Sequence, residues 1–135
     1  MPASVSFTLS VRNGRQAVDF YKAAFGAMEV MRAESPDGDV VVQLEIGTHR
    51  FFVADESPAN DNYSPESLGN RSTVRMALIV EDPDAAAAQA IGAGGRQVYA
   101  VADQPYGWRL GRIVDPFGHH WEIGRPCTSI RERGS

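Results

Sequence analysis

The residues with the clearest capacity for chemistry lie close together near the end of the chain. His119, His120 and Glu122 follow one another within four positions, and imidazole and carboxylate groups can transfer protons or bind metal ions. Because neighbouring residues of a strand point to opposite faces, His120 is expected to share a face with Glu122, whereas His119 is not. His120 is therefore a candidate ligand contact or proton carrier, and hydrogen bonding to a turn carbonyl is the alternative.

Glu122 is the best single candidate for a catalytic group. A carboxyl group in an apolar pocket should have a raised pKa and could act as a base or bind a ligand cation. The alternative is a structural ion pair with Arg75. Arg109 and Arg112 stand three positions apart on one predicted strand, so they face opposite ways. One of the two is expected to bind an anionic group, and Arg109 is counted among the candidate ligand contacts.

Aromatic residues flank this part of the chain. Tyr106 lies in the loop that enters the predicted strand, and Trp108 stands at the entrance of that strand. An aromatic side chain there can stack on a ligand or on a second subunit, with packing in the core as the alternative for Trp108. Trp121 alternates with Glu122 and is expected to face the helices as part of the core.

The first half of the chain reads as strand, helix and three further strands. Residues 6–11 alternate as a strand does. A helix is predicted from Asn13, a suitable cap, to Phe25, and Gly26 ends it. Strands follow at 28–32, 40–46 and 50–54, the first two joined by a turn around Pro36 and Gly38.

The second half repeats this order at an offset of about 69 to 71 residues. A strand at 74–80 precedes a helix capped by Asp82, and strands follow at 96–102, 109–114 and 120–124. The sequence therefore predicts one α+β domain over residues 1–135, with module one at about 4–55, a linker at 56–72, module two at about 73–125 and a tail at 126–135. The polar linker is long enough to be mobile or to act as a lid.

Composition narrows the classes of function. The net charge is −4 and the basic residues form no stripe, which disfavours a nucleic-acid-binding protein. No segment approaches the roughly 20 apolar residues of a membrane span, and no export signal is visible. The single cysteine, Cys127, is consistent with a reducing compartment. We therefore expect a cytoplasmic protein without nucleic-acid or membrane partners.

The paired modules and the closing run from Gly107 to Glu122, with its turn Asp115-Pro116-Phe117-Gly118, resemble the vicinal oxygen chelate superfamily. That superfamily includes glyoxalase I, extradiol dioxygenases, fosfomycin-resistance enzymes and bleomycin-binding resistance proteins. The similarity covers roughly residues 4–125 and is greatest to an uncharacterised glyoxalase-like branch. It implies two tandem βαββ modules whose curved mixed sheet forms a ligand-holding cup. It also implies a homodimer, in which modules pair to complete the cups.

The resemblance assigns four positions to the metal ligands of the superfamily. Counting five residues back from Val11 and from Val80 gives Ser6 and Arg75 for the two first strands. The last strands give Glu122 in module two and Phe51 or Phe52 in module one. Phenylalanine cannot coordinate a metal ion and arginine repels one, so we expect no metal cofactor. An ion pair between Arg75 and Glu122 across the cup floor is the simpler hypothesis.

Three functions follow from this resemblance. The first is a metal-independent protein that binds an unidentified small molecule in an aromatic and acidic cup, with Ser6, Phe52, Arg75 and Glu122 at its floor. The second is a metal-dependent lyase, isomerase or dioxygenase in which Glu122 is a base or a retained ligand. The third is a non-catalytic interaction protein whose cup is filled by its phenylalanines. The loss of ligand residues favours the first.

Overall fold

The computed structural model describes residues 1–127, so residues 128–135 of the predicted tail lie outside the described part. Within it, the elements follow in the order β1 (Thr8–Val11), α1 (Gly14–Phe25), β2 (Met28–Glu34), β3 (Val40–Ile46), β4 (His49–Asp55), β5 (Arg75–Ile79), α2 (Pro83–Gly92), β6 (Arg96–Asp103), β7 (Trp108–Val114) and β8 (His120–Pro126). Among these residues, no helix is both long and apolar enough to cross a membrane. The predicted order of elements is confirmed.

The strands form two four-stranded mixed sheets with the same topology. The first sheet has the order β1-β4-β3-β2 and the second has the order β5-β8-β7-β6. In each, the first strand of the module lies at the edge and pairs in parallel with the last strand, while the other pairs are antiparallel. The internal repeat and the α+β fold class predicted from the sequence are confirmed.

Both helices begin at the predicted caps. The side chain of Asn13 accepts a hydrogen bond from the backbone N–H of Gln16, and Asp82 accepts one from the N–H of Ala85. Gly26 ends α1 with a φ of 67°, a left-handed conformation that glycine adopts without steric cost. These local signals fix where the two helices start and, in α1, where the chain turns into β2.

The core lies where the helix-bearing sides of the two modules meet. Tyr21 and Phe25 of α1 pack on Trp121 of β8, with ring centroids 5.5 and 4.5 Å apart, and Phe51 of β4 packs on Trp121 from 6.0 Å. Trp121 is only 3% exposed, which confirms its predicted place in the core. The faces of the sheets that turn away from this core are called the outer faces below.

The linker between the modules is held in place by specific contacts. Glu56 accepts hydrogen bonds from the backbone N–H of Ser64 and from the hydroxyl of Ser67. Pro65 is buried and packs so closely on Gly118 that a Cβ built at that glycine would lie 2.6 Å from the Cβ of Pro65. These contacts hold the middle of the linker to its own first residue, Glu56, and against module two at Pro65, so the expected mobility of the linker finds no support in them. The alternative expectation, that the linker acts as a lid, stays a prediction.

Candidate functional site

Glu122 lies at the centre of a polar cluster on the outer face of the second sheet. Arg75 donates from Nε to Glu122 Oε1 at 3.0 Å, and the hydroxyl of Tyr99 donates to Oε2 at 3.1 Å. Arg112 lies with Nη2 3.5 Å from Oε2, and its guanidinium stands 5.4 Å from the centre of the Tyr99 ring. We call these four residues the Glu122 cluster. The ion pair with Arg75, given above as the alternative role of Glu122, is present.

The cluster overturns the expected titration of Glu122. Burial by itself would raise the pKa of this carboxyl group, but hydrogen bonds from Arg75 and Tyr99 and the charges of Arg75 and Arg112 lower the pKa below its ordinary value. A carboxylate with a lowered pKa is a weak base at neutral pH. The prediction of a raised pKa was wrong because it assumed an apolar setting, and the flanking strands supply two cations.

The strand register separates the two histidines, as their spacing predicts. His120 pairs with Val114 and Glu122 pairs with Arg112, so His120 lies on the outer face beside the cluster. Its Nδ1 is buried without a hydrogen-bond partner. The pKa of His120 is lowered, mainly by burial and to a smaller extent by the charge of Arg112. The histidine that contacts a carbonyl is His119, whose Nε2 lies 2.9 Å from the Ser10 oxygen. His119 thus ties the second module to β1.

Arg112, not Arg109, reaches the Glu122 face of the second sheet. Arg109 lies on the opposite face and donates to Asp84 at the start of α2, at 2.8 and 3.0 Å, and to Asp103 at 3.0 Å. Arg109 is therefore removed from the candidate contacts of the Glu122 face. The sequence establishes that the two arginines oppose each other, but it does not say which face each one takes.

The other predicted contacts are spread over both modules. Phe52 is half-buried on the outer face of β4, whereas Phe51 lies in the core. Of the two residues offered for the last strand of module one, Phe52 is therefore the one on an outer face, as Glu122 is in module two. The hydroxyl of Ser6 donates to the carbonyl of Arg50. Tyr106 is 64% exposed in the turn before β7, and Trp108 is half-buried at the start of that strand. The structure brings together Arg75 and Glu122 of the expected quartet and places Ser6 and Phe52 on the other module.

Asp115 is a buried carboxylate that the sequence analysis did not single out. Its Oδ1 accepts the backbone N–H groups of Phe117 and His119 at 2.9 and 3.0 Å. Its Oδ2 accepts the hydroxyl of Tyr21 and, at 3.0 Å, the indole N–H of Trp121. The sequence indicates only that Asp115 begins a turn. Neither its burial nor its contact with Tyr21 of α1 has a local sequence signal.

A cavity of about 1190 Å³ opens along the edge strands β1 and β5. The turn between β3 and β4 and the linker complete its walls, and Arg75 stands at its border with the Glu122 cluster. We call this cavity the inter-sheet cleft. Its volume slightly exceeds the usual range of ligand pockets, about 300–1,000 Å³. Its inner wall consists of apolar side chains from both modules: Leu9, Phe51, Met76, Leu78 and Trp121.

The residues around Glu122 do not suit a divalent metal ion. Within residues 1–127, no group of three His, Cys, Asp or Glu side chains stands close enough together to hold one. Glu122 offers a single carboxylate, and its neighbours Arg75 and Arg112 are permanent cations that repel a metal ion. The donor set therefore favours hydrogen bonding over metal coordination at this position.

Comparison with known proteins places the chain in a class. The model of the glyoxalase-like domain family matches residues 6–124. An uncharacterised protein of Mycobacterium tuberculosis is 37% identical over 126 residues, which cover 90% of this chain and 74% of that protein. The X-ray structure of an Arabidopsis thaliana gene product superposes with a TM-score of 0.69 at 30% identity, over 90% of this chain and 96% of that one.

Two tandem modules of this topology define the glyoxalase/bleomycin-resistance/dioxygenase class of folds. The manganese-bound fosfomycin resistance protein FosX of Listeria monocytogenes shares that fold, with a TM-score of 0.69 at 16% identity over 93% of each chain. The chain belongs to the glyoxalase-like family.

Proposed function

We propose that this protein binds a small organic molecule in the inter-sheet cleft and does so without a divalent metal ion. The observation that carries the proposal is the cleft itself, a cavity of about 1190 Å³ with an inner wall of apolar side chains from both modules. Pockets that take small molecules are mostly apolar, with a few polar groups that fix orientation. Arg75 supplies such a group at the border of the cleft.

The Glu122 cluster supports the metal-independent part of the proposal. The carboxylate that the superfamily resemblance assigns to the metal is engaged by Arg75 and Tyr99 at 3.0 and 3.1 Å. Releasing it for a metal ion would leave two guanidinium groups beside the ion. The open cleft also speaks against a protein whose cup is filled by its own side chains, since Phe51 packs in the core and leaves the cleft free.

Metal analysis and a thermal-shift screen test the proposal together. Protein purified without chelator should contain less than stoichiometric metal, and its melting temperature should be the same with and without added divalent ions. Small organic ligands should raise the melting temperature in a metal-independent way. Stoichiometric bound metal, with a melting temperature that depends on it, would favour the metal-dependent lyase, isomerase or dioxygenase instead.

A matched pair of variants locates the binding site. Val74 lines the cleft and is 65% exposed, so Val74→Trp should narrow the cleft without disturbing the core. Ile91 is 39% exposed on α2 and does not line the cleft, so Ile91→Trp controls for the added indole. Loss of ligand-induced stabilisation in the first variant alone would place the ligand in the cleft. Equal loss or equal retention in both would contradict that placement.

We further propose that the protein is a cytoplasmic homodimer. The outer faces carry exposed apolar side chains, among them Met31 and Val41 on the first sheet and Val98 and Tyr99 on the second. A second copy of the chain would remove these groups from water. The lone cysteine, Cys127, agrees with a reducing compartment. Light scattering coupled to size exclusion tests the dimer, and a monomer at micromolar concentration would rule it out.

A further inference from the structure

The charged side chains that line the inter-sheet cleft all have the same sign. They are Arg50, Arg71 and Arg75, and none of the described residues that line the cleft is an aspartate or a glutamate. The whole chain has the opposite bias, with 17 acidic and 13 basic residues. The cleft thus combines an apolar inner wall with a cationic border in an acidic protein.

Much of the hydrogen-bonding capacity of these arginines is unused. Arg75 gives Nε to Glu122, while its two terminal nitrogens have no partner among residues 1–127, and its side chain is 57% exposed. Arg50 gives Nε to Glu45 and is 53% exposed. Arg71 forms no ion pair and no side-chain hydrogen bond within the described part of the chain. An incoming oxyanion could accept hydrogen bonds from these free guanidinium N–H groups.

We infer that the ligand of the cleft is an amphipathic anion: a hydrocarbon or aromatic body with one carboxylate- or phosphate-type head group. This inference rests on the proposed function, because it names the chemical class of the molecule that the cleft would hold. The head group would lie at the arginine border, where planar guanidinium groups match the geometry of both oxyanions. The body would lie against the apolar inner wall, which includes Trp121.

The charge balance at the cleft favours an anionic head group over a cationic or a neutral one. A cationic head group would face three guanidinium groups, and the carboxylates that pair with two of them, Glu45 and Glu122, lie outside the residues that line the cleft. A neutral head group would gain only weaker hydrogen bonds from the same donors. Glu45 is already engaged by Arg50, and Glu122 by Arg75 and Tyr99. An oxyanion is therefore the head group that this border stabilises most.

Tryptophan fluorescence provides a direct readout of occupancy. The chain has two tryptophans, and Trp121 lines the cleft whereas Trp108 does not. In a Trp108→Phe background, Trp121 is the only reporter, and its emission can be followed during titration with decanoate, decyl phosphate, decanamide and decylamine below their micellar concentrations. We expect decanoate or decyl phosphate to bind at least about tenfold more tightly than decanamide, decylamine to bind least, and the preference to shrink in high salt. Comparing the affinities of decanoate and decyl phosphate shows whether the cleft prefers a carboxylate or a phosphate head group.

A variant of one unpaired arginine tests the border. Arg71→Glu should abolish the preference for the anion over decanamide. Arg96 is exposed and lies outside the cleft, so Arg96→Glu changes the net charge equally and should leave the preference intact. Circular dichroism and the melting temperature of each variant report folding. An equal loss of preference in both variants would trace it to overall charge and overturn the inference.

The remaining outcomes separate this inference from the proposed function. Equal binding of decanoate and decanamide would refute the anion preference and leave a small-molecule cleft in place. If no probe changes the emission of Trp121, and no library compound stabilises the protein, both proposals fail. Emission that depends on protein concentration and not on any probe would show that a second copy of the chain occupies the cleft, which also overturns the inference.

Discussion

Replacing Asp115 with asparagine preserves the size of the side chain and changes what it can accept. An asparagine carbonyl in the place of Oδ1 would keep the backbone N–H groups of Phe117 and His119. The amide NH2 would then take the place of Oδ2 and face Tyr21 and the indole N–H of Trp121. The tyrosine hydroxyl can rotate and accept, but an indole N–H can only donate, so two donors would oppose each other inside the core.

The expected loss of stability follows from these contacts. A buried donor left without an acceptor costs about 1–3 kcal/mol, and hydrogen bonds to a charged acceptor contribute about 1.5–3 kcal/mol each. Asp115 is 4% exposed, so water offers little compensation. We therefore expect Asp115→Asn to lower the free energy of unfolding by about 2–4 kcal/mol. A domain of this size has about 5–15 kcal/mol in total, so the variant should fold but be markedly weakened.

Urea denaturation followed by far-ultraviolet circular dichroism measures the effect. With an m-value of about 2 kcal/mol per molar urea, inside the usual range of about 1–3, the midpoint should fall by about 1–2 M at an unchanged slope. Asp103→Asn is the matched control, because this aspartate has a side chain 72% exposed, and its loss should change stability by less than about 0.5 kcal/mol. If the free energy of unfolding of Asp115→Asn lies within about 0.5 kcal/mol of that of the parent protein, the hydrogen bonds to Asp115 do not stabilise the fold as described.

Three further changes have defined outcomes. In Arg75→Gln, the pKa of Glu122, which hydrogen bonds now lower, should rise in an NMR titration. The ionised Glu122 stabilises the folded protein above its unfolded pKa, this stabilisation is lost as the pH falls through the folded pKa, and it should be smaller in the variant. An unchanged titration of Glu122 would contradict the ion pair. Burial lowers the pKa of His120, so the protein should lose stability as the pH drops below about 6.5. In His120→Gln, the midpoint of urea denaturation should depend less on pH between pH 7.5 and 5.5. Gly118 has a φ of 93° and no room for a Cβ beside Pro65, so Gly118→Ala should cost about 1–3 kcal/mol in urea denaturation, and a neutral effect would disprove the close packing.

Features encoded in short stretches of sequence were predictable. The caps Asn13 and Asp82 and the glycine that ends α1 act through hydrogen bonds and backbone angles within a few residues, and the structure confirms them. The repeat of element order predicted two equivalent modules, and the resemblance to the superfamily implied their mixed sheets. The core position of Trp121 followed from strict alternation along β8.

Features that depend on distant strands were predictable only in part. The ion pair of Arg75 with Glu122 was expected from the superfamily resemblance. The lowered pKa of Glu122 also depends on Tyr99 of β6 and Arg112 of β7, and alternation alone does not give the absolute face of a strand. Irregular pairing between β6 and β7 at Gln97 and Tyr99 adds a shift in register that no turn signal announces. The inter-sheet cleft arises from the placement of two modules, and the positive charge of its lining appears only once they are placed.

The buried carboxylate of Asp115 makes the two repeats unequal. It receives a hydrogen bond from Tyr21 in the other module, whereas the position that matches it at the offset aligning Gly118 with Gly47 is Leu44, which is fully buried and apolar. At this pair of matched positions, only module two supplies a buried acceptor to the other module. A chimera that replaced module two by a second copy of module one would lose the acceptor for the Tyr21 hydroxyl. The repeats share a topology, yet they are no longer interchangeable parts.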